Sequence, residues 1–393
     1  MTSKKLGLCI IDSLSSYIKS SNYRGFDPYD GLNFTNSSNI QSKYTRLLIN
    51  QLFVYFPINF RSLIGIKKGL NPKALGLILK SLCKQHKLGL IKYNHFKKEV
   101  DIISRLLLHN RSEGQRLSWG YNFDWQSINR FLKRNTPTVV NSGFVADAFV
   151  DIFDITKDYR FLKLAKNVCE FIVNDLNTLE TSEGICFSYT PIDNYYVHNA
   201  NTIAASLLAR VSKRTNEEKY YEISQKAFGF TVSNQLENGM WYYSFDPKTG
   251  YGRKQLDWHQ GFVINSLIDY ENDFDSELYH VAKERALKFY SEKQFDSLGR
   301  SFWRYPRRWP IDIHNQAQGI ITFSRASLSN KSYMIIAEKI LDWTIKNMWE
   351  NDNFIYQYWP FGKNKINYLR WSQVWMFLAI LEFEYMKFRT LKS

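Results

Sequence analysis

The sequence predicts an all-α protein, a toroid of six helical hairpins of the (α/α)6 type with short aromatic β-strands between units, on three observations. Apolar residues recur at i, i+3, i+4 and i+7 through 74–83, 145–152, 162–173, 203–211 and 335–348, the pattern of helices with one buried face. A unit returns along the chain, its helix opening as NSGFVADAF from Asn141, NANTIAASL from Asn199, HQGFVINSL from His259, AQGIITFSR from Ala317 and SQVWMFLAI from Ser372. Aligning Ser142, Asn201, Gln260, Gln318 and Gln373 spaces the copies by 59, 59, 58 and 55 residues, room for two helices and a connection. Finally, a short aromatic segment closed by proline precedes the helix of each later unit: FSYTP from Phe187, WYYSFDP from Trp241, FWRYP from Phe302 and YQYWP from Tyr356. Such alternating aromatic segments suit brief extended pieces between helices.

Taken in order, residues 1–70 form an N-terminal helical segment and residues 71–393 the hairpin ring. The apolar run at 6–11 is too brief for a signal-peptide core and reads as a helix of the mature protein. LGLILKSLCKQHKLGLI from Leu75 comes nearest to a membrane span, but Lys80, Lys84, Gln85, His86 and Lys87 break it. SWGYNFDWQS from Ser118 is a looser copy of the aromatic segment, ahead of the Asn141 helix. The last unit has one clear helix, 371–388, and helices near 4–20 and 44–56 have no repeat partner, so they are expected to complete the ring. An open solenoid would need polar caps at both ends, and WSQVWMFLAILEF from Trp371 is a poor one.

The hairpin period, the WGYNFDWQS segment and the aromatic–proline strands resemble the six-hairpin, (α/α)6-toroid carbohydrate-active proteins, especially members found among bacterial polysaccharide-biosynthesis proteins. The resemblance covers roughly residues 71–388. It implies a toroid acting on an oligosaccharide or polysaccharide. It does not choose among glycoside hydrolases, uronate-acting lyases and epimerases, because a fold hosts many chemistries.

Composition limits the partners. Of 393 residues 44% are hydrophobic and 23% charged, a globular balance, and 52 Lys+Arg against 37 Asp+Glu leave a formal charge of +15. That excess suits an anionic partner, including an acidic polysaccharide. Nucleic acid is not expected, since Lys4, Lys5, Lys67, Lys68, Lys213, Arg214, Arg307 and Arg308 are scattered and build no basic helix or RNA-binding module. Cys9, Cys83, Cys169 and Cys186 lie far apart with no CxxC and no histidine at ligand spacing, which predicts a reducing, cytoplasmic setting, no metal and no cofactor. A closed ring leaves no repeat face to pair, so a monomer is expected.

In such a ring the N-termini of the inner helices gather at one mouth. Trp119, Trp125, Trp258, Trp303, Trp309 and Trp371 supply faces for sugar rings there, and Asn141, Asn199, Gln260, Arg307, Arg308, Asn315, Arg370 and Gln373 supply groups for hydroxyls and acids. The stretch LGRSFWRYPRRWPIDIHNQAQGI from Leu298 is expected to form one wall. Each assignment has a plainer counterpart: aromatic rings pack on one another, RYPRRWP can be a solvated loop, an aspartate before a helix caps it, and His198 can be a core histidine.

Two chemistries fit. Hydrolysis needs paired carboxylates, for which Asp124, Asp193, Asp257 and Asp312 are the candidates. A uronate lyase or C5-epimerase needs a base beside the sugar carboxylate and groups that stabilise an enediolate. Tyr195, Tyr196, His198 and Asn199 in DNYYVHNAN supply those types, with His259 and His314 similarly placed in later units. The recurrence of aspartate in four segments favours hydrolysis, and a non-catalytic glycan-binding or assembly protein is the third reading.

Overall fold

The computed structural model describes residues 3–390 except Asn36 and Asn129; residues 1–2 and 391–393 of the two expected segments lie outside the description. Six helices form an inner ring: α3 (Pro72–Lys87), α5 (Val139–Thr156), α7 (His198–Thr215), α9 (Trp258–Phe274), α11 (Ile313–Ala326) and α13 (Trp375–Thr390). Each packs on its neighbour, and α13 packs on α3, so the ring is closed. The outer layer is α4 (Tyr93–His109), α6 (Tyr159–Asp175), α8 (Glu218–Ser233), α10 (His280–Phe289) and α12 (Ser332–Met348), with α1 (Ser3–Ser20) against α13. One hairpin is thus built from the two ends of the chain. The helix α2 (Lys43–Tyr55) lies apart from both layers, against the Trp125–Gln126 strand. No described helix is long and apolar enough to cross a membrane.

The local signals for these helices are ordinary ones. Asn71 accepts the Ala74 N–H, with Pro72 in the first turn of α3; Thr138 accepts the Asn141 N–H at the start of α5. Lys157, Asn216 and Asp275 adopt left-handed backbone at the ends of α5, α7 and α9 and stop them. Inner helices are buried nearly all round, as between two layers, whereas α4 and α6 keep one wet face.

The repeat in the sequence has a structural cause. At the start of five of the six inner helices, all but α3, one polar side chain clasps the backbone of the preceding aromatic segment. Ser142 Oγ accepts the Trp119 N–H at 2.9 Å, Asn201 Oδ1 that of Phe187 at 3.0 Å and Gln260 Oε1 that of Trp241 at 3.0 Å. Gln316 Oε1 takes Ser301 N–H at 2.8 Å and Gln373 Oε1 takes Phe354 N–H at 2.9 Å. The amide nitrogens of the last three donate back to Trp241, Gly299 and Phe354 carbonyls. The fourth member is therefore Gln316 and not the Gln318 chosen by alignment, which bonds to Thr322 inside α11. With it the intervals become 59, 59, 56 and 57 residues.

Three of the inner helices send rings to the middle. Phe144 of α5, Phe262 of α9 and Trp375 of α13 meet pairwise with centroids 5.6, 5.6 and 5.7 Å apart. They divide the interior into a small polar cavity of about 80 Å³ on one side and a large open one on the other.

Candidate functional site

The large cavity, about 1150 Å³, opens where the inner helices begin. Trp125, Trp258, Trp371, Tyr29, Tyr121, Tyr189, Tyr195 and Tyr243 make its walls, and Phe262, Lys73 and His314 its floor. Its charge is strongly one-sided: Lys73, Arg130, Arg253, Arg304 and Arg370 face it, against Asp193 and Asp246. Arg130 pairs with Asp193 at 2.8 Å and lies over the Tyr189 and Tyr195 rings at 4.3 and 4.5 Å. Arg370 donates to both Asp27 oxygens, at 2.6 and 2.8 Å, in a buried two-point pair.

Two histidines stand together in this cavity. His259 and His314 both pack on Trp258, at 5.0 and 4.9 Å, and on Phe262, at 6.0 and 5.9 Å. Behind His259, Asp257 Oδ1 lies 2.5 Å from Nδ1 and also accepts the His259 backbone N–H, so the capping aspartate of α9 fixes the ring. Gln255 Nε2 donates to the second oxygen at 2.7 Å, and Arg304 Nε lies 3.7 Å away. Burial alone would raise the Asp257 carboxyl, but His259 and Arg304 outweigh it and hold the group below its usual range. With Nδ1 committed to Asp257, Nε2 is the nitrogen left to the cavity.

His314 has the opposite surroundings. Neither ring nitrogen has a partner among the described residues, and the ring is enclosed by Trp258, Trp371 and Trp375, the last two at 4.6 Å. Burial pushes it well below the ordinary histidine range, so it is neutral near pH 7. Asp312, the cap of α11, accepts the His314 backbone N–H and Trp371 Nε1, each at 2.9 Å, and burial raises its carboxyl to about 6. The Asp312 strand is held by Gln357, whose amide reaches the same carboxylate at 3.3 Å.

Of the residues the sequence proposed, Trp125, Asp193, Tyr195, Asn199, Trp258, His259, His314, Arg370 and Trp371 line the cavity. The others are placed elsewhere. Trp119 is fully buried, its Nε1 donating to the Leu107 carbonyl, and Asn141 is buried with its amide on Thr138. Gln260 and Gln373 are spent on the backbone clasps, and Asn315 bridges Gln294 and the Trp303 carbonyl. Tyr196 packs with Cys186 and Phe230, and His198 stacks on Phe230, where burial lowers it to about 4. In the arginine-rich stretch Arg308 pairs with Asp296, Trp309 stacks on Tyr358, Trp303 meets Tyr55, and Arg307 is exposed beside Arg304. That stretch reaches the cavity only through Arg304 and His314.

Of the four aspartates only Asp193 lines the cavity, tied to Arg130 and Thr190; Asp124 accepts the Arg134 N–H, and Asp257 and Asp312 are buried helix caps, near enough for the Asp257 charge to act on Asp312. Lys73, Arg130 and Arg304 were missed by sequence reasoning. Lys73 follows the Asn71–Pro72 cap of α3, the inner helix whose unit lacks the aromatic–proline segment and so escaped the alignment.

No family model matches this sequence, and no curated protein matches it. Solved structures do match it in shape. A glycoside hydrolase family 76 mannosidase from Bacteroides thetaiotaomicron superposes with a TM-score of 0.63 at 12% identity, over 98% of each chain. A cellobiose 2-epimerase from Spirochaeta thermophila gives 0.63 at 11% identity, over 82% of this chain and 87% of its own. A possible GH105 family member from Salmonella enterica gives 0.61 at 13% identity, over 82% and 84%. At these identities the likeness establishes the fold, and the chain has the (α/α)6 toroid of these enzymes.

Proposed function

We propose that this protein is a carbohydrate-active enzyme that removes and returns a proton at a sugar carbon next to a carbonyl or carboxyl group, an epimerase in type. The observation that carries the reading is the histidine pair: one ring backed by a buried carboxylate, the other neutral and unpartnered, both facing one aromatic cavity. His259 Nε2 is the base. The imidazolium that forms is stabilised by Asp257, as the third member of a triad steadies a charged histidine. His314, kept neutral, donates an N–H to the sugar oxygen on which negative charge develops, a role that suits a histidine of depressed pKa. Arg304 and Arg370 add positive charge at the same place. The aromatic walls suit an oligosaccharide or polysaccharide. Toroids of this shape include both a mannosidase and a cellobiose 2-epimerase, so hydrolysis is the competing chemistry.

The test is incubation with neutral sugars, uronates and their oligomers in D2O, followed by proton NMR. Deuterium entering at the carbon beside the carbonyl or carboxyl group is expected. A new reducing end with no deuterium at that carbon would overturn the proposal, pointing to elimination if an unsaturated uronate forms with it and to hydrolysis if none does.

A further inference from the structure

Lys73 is the most unusual side chain in the cavity. It is 4% exposed, yet its Nζ has no hydrogen bond or ion pair among the described residues. What surrounds it is aromatic: Nζ lies 4.2 Å from the Phe144 ring centroid, 5.1 Å from Phe262 and 5.2 Å from Trp375. Elsewhere in this protein buried and half-buried cations are matched. Lys80 has Asp151, Lys84 has Glu382, Lys283 has Glu271, Arg61 has Asp30, and Arg370 has Asp27. Asp27, whose charge Lys73 feels, has both oxygens occupied by Arg370.

A buried amine without an acid is costly if charged, and three ring faces offset only part of that cost. Burial and the neighbouring Arg370 charge accordingly hold Lys73 well below the usual lysine range. What would complete the site is an anion from outside, entering a cavity whose other charges are also mostly positive.

We propose that Lys73 anchors the carboxylate of a uronic acid residue on the cavity floor, which makes the substrate a uronate-containing glycan rather than a neutral one. This rests on the proton-transfer reading of the same cavity and names its substrate class. The incoming carboxylate restores the conditions for an ammonium, so Lys73 takes a proton from solvent as the sugar binds. Held there beside His314, the carboxylate is positioned to receive the charge left when the neighbouring carbon loses its proton, and the ammonium stabilises it.

The experiment is titration calorimetry of the intact protein with glucuronate and galacturonate, against glucose and galactose, in two buffers of different ionisation enthalpy. Uronates are expected to bind at least about ten-fold more tightly than their neutral counterparts, with net proton uptake. Lys73→Met is expected to remove both the preference and the proton uptake while melting no lower than the parent, because it deletes an unpaired buried amine. Equal binding of neutral sugars, no uronate binding, or a preference that survives in K73M would each overturn the proposal. If K73M does not fold, absence of proton uptake in the parent protein overturns it instead. The two proposals fail separately: Lys73-dependent uronate binding without deuterium exchange would sink only the proton-transfer reading, and exchange on neutral sugars without uronate preference only the anchor.

Discussion

Lys84 Nζ lies 2.9 Å from Glu382 Oε2 and joins the first inner helix to the last. The pair belongs to a belt in which the sign of charge alternates around the ring. Lys80 and Lys84 stand on α3, Asp147, Asp151 and Asp154 on α5, Arg210 and Arg214 on α7, Asp269 and Asp273 on α9, Arg325 on α11 and Glu382 on α13. Contacts include Lys80–Asp151 and Arg210–Asp151 at 2.8 Å and Arg214–Asp273 at 2.9 Å. An even number of helices allows strict alternation, so each charge has an opposite neighbour on both sides. The belt fills the side of the ring beyond the Phe144, Phe262 and Trp375 floor, away from the open cavity. Belt charges thus serve closure, while above the floor Arg130 and Arg370 have acids of their own and Lys73 is left for a ligand.

Glu382→Gln should therefore destabilise the protein by about 3 kcal/mol, because Lys84 is left buried without its acid. Burial alone lowers the Lys84 pKa, and Glu382 opposes that. Urea unfolding measures the loss. The double variant with Lys84→Met should recover part of it; an equal or larger loss in the double variant would contradict the pairing.

Gln260→Ala should cost about 2–4 kcal/mol, since it strips partners from both the N–H and the C=O of buried Trp241. The Trp241 amide should also exchange with solvent faster than in the parent. Loss of sugar binding with unchanged stability would instead make Gln260 a substrate ligand.

Asp312→Asn tests the buried cap. Its folded pKa, about 6, lies above the ordinary 3.8, so the folded protein binds the proton more tightly than the unfolded chain does. Its contribution to stability therefore improves as pH falls from about 6 towards 4 and is lost as pH rises through that window. The difference in stability between D312N and parent should be largest at pH 7, in favour of D312N by about 1–3 kcal/mol, and should shrink towards pH 4. Thermal melts across that range decide it.

His259→Ala should lower deuterium exchange by about 10²- to 10⁴-fold, the usual worth of a positioned base. Asp257→Asn should lower kcat more than it raises KM, because Asp257 is buried behind His259 and does not line the cavity. Full exchange in H259A would remove the base assignment.

The sequence by itself determined the helices, their period and the closed ring. Each inner helix must bury nearly all its sides, so its apolar pattern and its 55–60-residue return are written locally. The polar residue that marks each return was visible in four of the five copies, with Gln318 standing in for Gln316 in the fourth, but its purpose was not. An amide at a helix start looks the same whether it clasps a backbone carbonyl or a sugar hydroxyl, and only the approach of the aromatic segment showed the first for Gln260 and Gln373. Tertiary structure also separated the histidines, burying His198 against Phe230 while bringing His259 and His314 together across 55 residues of chain. Nothing around Lys73 in the sequence marks it as unpaired. That property depends on which acids the fold brings near, and the fold gave Asp27 to Arg370 and left Lys73 three aromatic rings.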